Sequence, residues 1–101
     1  MKDIVSGMKT SSPKVEEILD ILQEECAEVI QAVSKCRRFG IDELHIKSGT
    51  TQREQLVQEL GDVTLLIELL NSYELFTKEE LHLAQANKAS KLSKWSRIYE
   101  D

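Results

Sequence analysis

The feature that most constrains this chain is a helical stripe of apolar residues with acid set inside it. Ile18, Ile21, Leu22, Val29, Ala32 and Cys36 all fall within roughly 60° of Glu25 around a helix axis. Glu25 therefore sits in the middle of the stripe, and Glu28, three residues on, lies at its edge. The arrangement recurs further along. Glu59 lies among Leu56, Val63, Leu66 and Leu70, with Asp62 about 60° away on the corresponding side. The spacing predicts two long amphipathic helices, each turning a pair of carboxylates towards the core.

An unpaired carboxylate in an apolar setting is costly, and four that converge repel one another and take up protons unless cations intervene. A hard divalent metal, Mg2+ or Mn2+, answers this, because it takes oxygen ligands and leaves positions for water and phosphate oxygens. The competing reading is that these are ordinary helix-surface acids, which are common in a chain that is 31% charged. Two pairs in matching positions on two apolar faces favour the metal, with Glu25, Glu28, Glu59 and Asp62 as its ligands.

These residues, read as Glu24-Glu25-x-x-Glu28 followed by Glu59-x-x-Asp62, also resemble the signature of the MazG-type all-α nucleoside triphosphate pyrophosphohydrolases. The resemblance runs from about Val15 to Trp95. It implies Mg2+-dependent hydrolysis of a ribo- or deoxyribonucleoside triphosphate to the monophosphate and pyrophosphate. It further implies that an Asn and a basic residue on the last helix hold the triphosphate, and Asn87 and Lys91 stand at about those places.

Composition agrees with a helical fold. The chain of 101 residues is 41% hydrophobic but only 5% aromatic, with one Pro and four Gly, as expected of one small all-α domain rather than a sandwich or barrel. A net charge of -5 argues against non-specific nucleic-acid binding, yet leaves an anionic substrate open, since bound metal reverses the local sign. No apolar run reaches the length of a membrane span, and Met1-Lys2-Asp3-Ile4 does not open a signal peptide, so a cytoplasmic location is expected. Cys26 and Cys36 read as lying on one helix about 15 Å apart, too far for an intrachain disulfide. Cys36 belongs to the apolar stripe.

Residues 1–12 lack periodicity and read as a flexible arm, with a single domain over 13–101. Ser12-Pro13 is an N-cap followed by proline at the first helical position, and the helix it opens should end at Phe39, before Gly40. Residues 41–50 form a connection with room for a short helical turn. Thr51 with Glu54 reads as a capping box opening a second helix to about Ser72. Gly61 inside that helix suggests close approach by another helix or a ligand. Thr77 with Glu80 opens a third helix running to about Ile98. Together these give an antiparallel bundle of three long helices. Val57, Leu65 and Leu69 point away from the acidic side, so a four-helix-type core completed by a second copy is expected, as a homodimer or a tetramer.

Other chemistries find little support. There is no Gly-x-Ser-x-Gly and no Walker-type phosphate loop, and neither His45 nor His82 has the Glu-x-x-His spacing of di-iron bundles. Both histidines read as surface residues. Lys35 near the end of the first helix, and Asn87, Lys91 and Lys94 on one face of the third, are candidates for binding phosphate, against a plain solubilising role. Glu24, about 100° round from Glu25, could orient the attacking water. Trp95 reads as packing at the end of the bundle. Two further readings stand beside this one: a non-catalytic helical dimer acting as an interaction module, and the same site acting on a nucleoside diphosphate or a phosphoribosyl nucleotide.

Overall fold

The computed structural model describes residues 12–44 and 47–101; the expected arm, except Ser12, and His45 lie outside them. Three helices make up the fold: α1 (Pro13–Phe39), α2 (Gln52–Ser72) and α3 (Lys78–Trp95). Their starts follow from local chemistry. The Ser12 hydroxyl accepts from the Val15 N–H at 3.2 Å, with Pro13 in the first turn. Thr51 and Glu54 form a reciprocal box, the Thr51 N–H donating to Glu54 Oε1 at 2.8 Å and the Glu54 N–H donating to Thr51 Oγ1 at 3.0 Å. Thr77 and Glu80 repeat it. Each box satisfies N–H groups that the first turn leaves without helical partners.

The ends are as specific. α1 stops at Gly40, whose φ of 97° suits a residue with no Cβ. α3 ends at Trp95, three residues short of the expected Ile98. Ser96 turns its hydroxyl back onto the Leu92 carbonyl at 2.7 Å and takes an extended conformation, the local competition that makes Ser a poor helix continuer.

α2 leaves through a Schellman turn. The Leu75 N–H donates to the Leu70 carbonyl at 3.0 Å and the Glu74 N–H to the Asn71 carbonyl at 2.9 Å. Leu75 also packs on the core beside Leu70. The left-handed position of this turn, usually Gly, is Glu74 at φ 65°. Glu74→Gly should therefore stabilise the fold by about 0.5–1 kcal/mol, the relief of left-handed strain less the added unfolded-state entropy. A calorimetric Tm several degrees above the parent is the expected result, and an unchanged or lower Tm would refute it.

α1 and α2 pack antiparallel, with Val15 and Ile18 against Leu66 and Leu70, flanked by Leu22, Leu69, Leu75 and Phe76. At the other end of the hairpin, Ala32 and Cys36 are buried, and the Cys36 thiol donates to the Gln52 carbonyl at 3.5 Å. The connection folds back on the start of α2: the Gln52 and Arg53 N–H groups donate to the Glu43 and Ile41 carbonyls, each at 2.8 Å, and Leu44 bridges to Thr51. No helical turn forms in its described residues. These backbone bonds to the first turn of α2 take the place of one.

Four expectations about packing change. Ile21 is exposed, at the rim of the stripe rather than under α2. Leu69 packs on the core instead of pointing away, while Val57 and Leu65 are exposed as expected. Apart from its chain neighbours and the backbone of its own helix, no atom of the described residues lies within 4 Å of where a Cβ on Gly61 would stand, so no other described helix accounts for that glycine. Trp95 does not close the bundle's end. It is 63% exposed, with the Lys88 ammonium 5.0 Å from the centre of its ring. No residue of α3 is fully buried, and Leu81, Ala89 and Leu92 are half-buried. Among the described residues no helix is long and apolar enough to cross a membrane.

Candidate metal centre

The antiparallel register of α1 and α2 sets Glu25 opposite Asp62, midway between the aliphatic core and the Ala32–Cys36 end of the hairpin. Carboxylate oxygens of Glu25, Glu59 and Asp62 all lie within 4.8 Å of one another. Glu25 and Glu59 are half-buried and Asp62 is exposed. One helix thus offers an acid from its apolar stripe, and the other offers two from successive turns of one face. Such a set is unstable in its fully charged state. Partial desolvation pushes the Glu25 carboxyl above the usual carboxylate range, and the Asp62 carboxylate, then Glu59 and Glu28, push it further the same way.

Hard anionic oxygens gathered on one spot, one of them on a carboxyl pushed up by desolvation and its acidic neighbours, are a donor set that fits Mg2+ or Mn2+. Nitrogen and sulfur donors are not part of the group, and the free Cys26, though exposed, is outside it.

Glu28 is exposed and is not one of the three convergent acids. It lines a small adjoining cavity of about 40 Å³ with Gln31, Ala32, Lys35, Gln55 and Glu59. Glu59 alone belongs to both the cluster and the cavity. Lys35 is half-buried there and, among the described residues, has no ion-pair partner, although two carboxylates share its cavity. Glu24 is exposed on the outer side of α1. Asn87, Lys91 and Lys94 are exposed on α3, and no side-chain hydrogen bond or ion pair among the described residues links them to the carboxylates. His82 is exposed, at the edge of a separate cavity with Asn71, Phe76 and Lys78.

Sequence reasoning missed three glutamines. Gln31 and Gln55 share the cavity with the acids, and their spacing could have revealed them: Gln31 is three residues after Glu28, and Gln55 is four before Glu59, so each shares its neighbour's face. Gln52 had no such signal. It is buried at the start of α2, with its Oε1 unpartnered among the described residues.

The comparisons agree with this geometry in kind. A family model described as the MazG nucleotide pyrophosphohydrolase domain matches residues 14–93, which takes in all three helices up to the last turn of α3. No curated protein and no solved structure gives a match.

Proposed function

Because the chain belongs to the MazG nucleotide pyrophosphohydrolase family, we propose that it hydrolyses a ribo- or deoxyribonucleoside triphosphate to the nucleoside monophosphate and pyrophosphate. The observation that carries this reading is the convergence of Glu25, Glu59 and Asp62. Those three, with Glu28 beside them, would hold Mg2+, for which Mn2+ is the natural substitute. The cation, when bound, supplies Lewis-acid polarisation of phosphate oxygens and lowers the pKa of a coordinated water.

The chain's own residues do the rest. Lys35 offers an unpaired ammonium to a phosphate oxygen, and Asn87, Lys91 and Lys94 add donors from α3. Glu24 orients water at the outer edge of the carboxylates. Water attacks the α-phosphorus in line, a new P–O bond forms, and the bond to the β-phosphate oxygen breaks. Pyrophosphate leaves and the water's proton passes to solvent.

The working form is a homodimer, or a tetramer built from it, acting in the cytoplasm. What supports assembly is the apolar surface left on the single chain, with Ile30 69%, Leu65 54% and Leu83 64% exposed, and an α3 with no fully buried residue. Light scattering at micromolar concentration should give at least twice the 11.5 kDa chain mass. A monomer would count against this arrangement.

The decisive assay is pyrophosphate release from a panel of ribo- and deoxyribonucleoside triphosphates, with Mg2+, with Mn2+ and with chelator. Metal-dependent release from some member is expected, and the ranking identifies the substrate. If no nucleotide turns over, the proposal fails. An interaction module then becomes the better reading if metal also leaves the fold's stability unchanged.

A further inference from the structure

We propose that Gln55 is a positioning residue, which latches the connection between α1 and α2 to the wall of the cavity beside the acid cluster and so fixes the place where a phosphate group meets Lys35. The inference rests on the proposed function for its ligand class, and on the following contacts for its mechanism.

The Gln55 side-chain amide donates to Ser48 Oγ at 3.0 Å and to Thr50 Oγ1. Those two hydroxyls are themselves hydrogen-bonded at 2.7 Å, and the Thr50 N–H donates to Ser48 Oγ at 3.3 Å. The turn they form is tight, with Gly49 between them at φ 74°, where a side chain would be strained. One glutamine thus gathers three consecutive residues of the connection onto α2. Gln55 is also the one member of this latch that lines the 40 Å³ cavity. It stands one helical turn before Glu59, on the same face.

The cavity's composition says what the latch is for. Glu28 and Glu59 supply charge for a cation, and Lys35 supplies an ammonium that pairs with neither of them among the described residues. A half-buried lysine whose ammonium goes unpaired beside acids among the described residues is available to an incoming anion, and a metal-bound phosphate group brings its own cation to those acids. With both amide hydrogens committed to the connection, Gln55 has only its carbonyl oxygen left as a polar atom for the cavity. It therefore cannot donate to a phosphate itself, and its effect must pass through the wall it holds. Removing the latch frees the connection and loosens the cavity wall and the hold on the anion, while the three convergent acids keep their places.

The test uses the full chain and two probes, Mn2+ alone and inorganic pyrophosphate with Mg2+, each titrated by calorimetry. Gln55→Ala removes the latch from the helix side, and Thr50→Val weakens it from the connection without touching the cavity. Both variants should bind Mn2+ as the parent does. Pyrophosphate affinity should fall about tenfold in Gln55→Ala and a smaller severalfold in Thr50→Val, and amide hydrogen exchange at residues 48–51 should quicken in both.

Three outcomes overturn the proposal. Pyrophosphate affinity could stay within twofold of the parent in both variants. Thr50→Val could be silent while Gln55→Ala is not, which would make Gln55 a direct ligand. Or Mn2+ affinity could fall in parallel, which would mean general loosening. A parent that binds no pyrophosphate overturns it as well. A parent that binds metal and pyrophosphate but turns over no nucleotide leaves the latch standing and defeats the proposed function instead.

Discussion

Replacing Glu59 with Gln is expected to lower turnover by at least about a thousandfold, or ~4 kcal/mol of transition-state stabilisation, with helicity unchanged. Glu59 is chosen because it alone belongs to both the convergent cluster and the adjoining cavity. Its loss removes one of the three convergent carboxylates and the one acid shared with the cavity that Lys35 lines. Gln keeps the shape and helix propensity of Glu, and the capping box of α2 lies a full turn away, so the far-ultraviolet circular dichroism should match the parent. The metal-free variant should even melt slightly higher, since one of three mutually repelling carboxylates is gone. Activity within tenfold of the parent would remove Glu59 from the site and leave the carboxylate cluster without its central member.

Millimolar Mg2+ or Mn2+ should raise the melting temperature by about 10 °C or more, and the size of this shift should grow with pH. A ligand held at about a hundred times its Kd stabilises the native state by ~2.7 kcal/mol, and each kcal/mol moves the Tm of a domain this small by about 4–8 °C. The pH dependence follows from the direction of the Glu25 shift. Its folded-state pKa is raised, so in metal-free protein its contribution to stability is fully present below the unfolded pKa. That contribution is lost as pH rises through the folded value.

Glu54 works the other way. Hydrogen bonds from the Thr51 backbone and hydroxyl hold its carboxyl below the usual range, so its contribution is present above the unfolded pKa and lost as pH falls through the folded value. Subtracting the melting curve of Glu25→Gln from that of the parent cancels Glu54 and isolates Glu25. Bound metal needs the ionised acid and displaces its proton, so the metal-induced shift should be small in mild acid and large near neutrality. A shift that is absent, or that shrinks as pH rises, would separate the cluster from metal binding.

Much of this molecule was legible because its determinants are local. Ser12-Pro13, Thr51 with Glu54 and Thr77 with Glu80 announce helix starts through contacts within one turn, and all three begin where the sequence placed them. The acidic cluster was legible for a related reason. A carboxylate in the middle of an apolar stripe has few tolerable surroundings, so Glu25 and Glu59 pointed towards each other before any packing was known. Leu69 and Ile21 were misjudged because helical angle alone does not say how far a neighbour's shoulder reaches. The Gln55 latch was invisible because it joins a helix to an irregular turn, where neither periodicity nor a capping rule applies. The inward glutamine Gln52 was missed as well, since burial of a polar residue at a helix start depends on how the connection folds over it.

The three acids that converge lie wholly within the hairpin of α1 and α2, while no residue of α3 is fully buried. The two parts of the chain are therefore under different pressures. Substitutions in the hairpin are judged at once by packing and by charge, because the aliphatic pairs and the acids share one interface. Along α3 only Leu81, Ala89 and Leu92 are even half-buried, and none of its residues belongs to the acid cluster, so its exposed positions meet neither constraint within the single chain. A lineage could thus remodel the exposed positions of its last helix while inheriting the acid cluster unaltered.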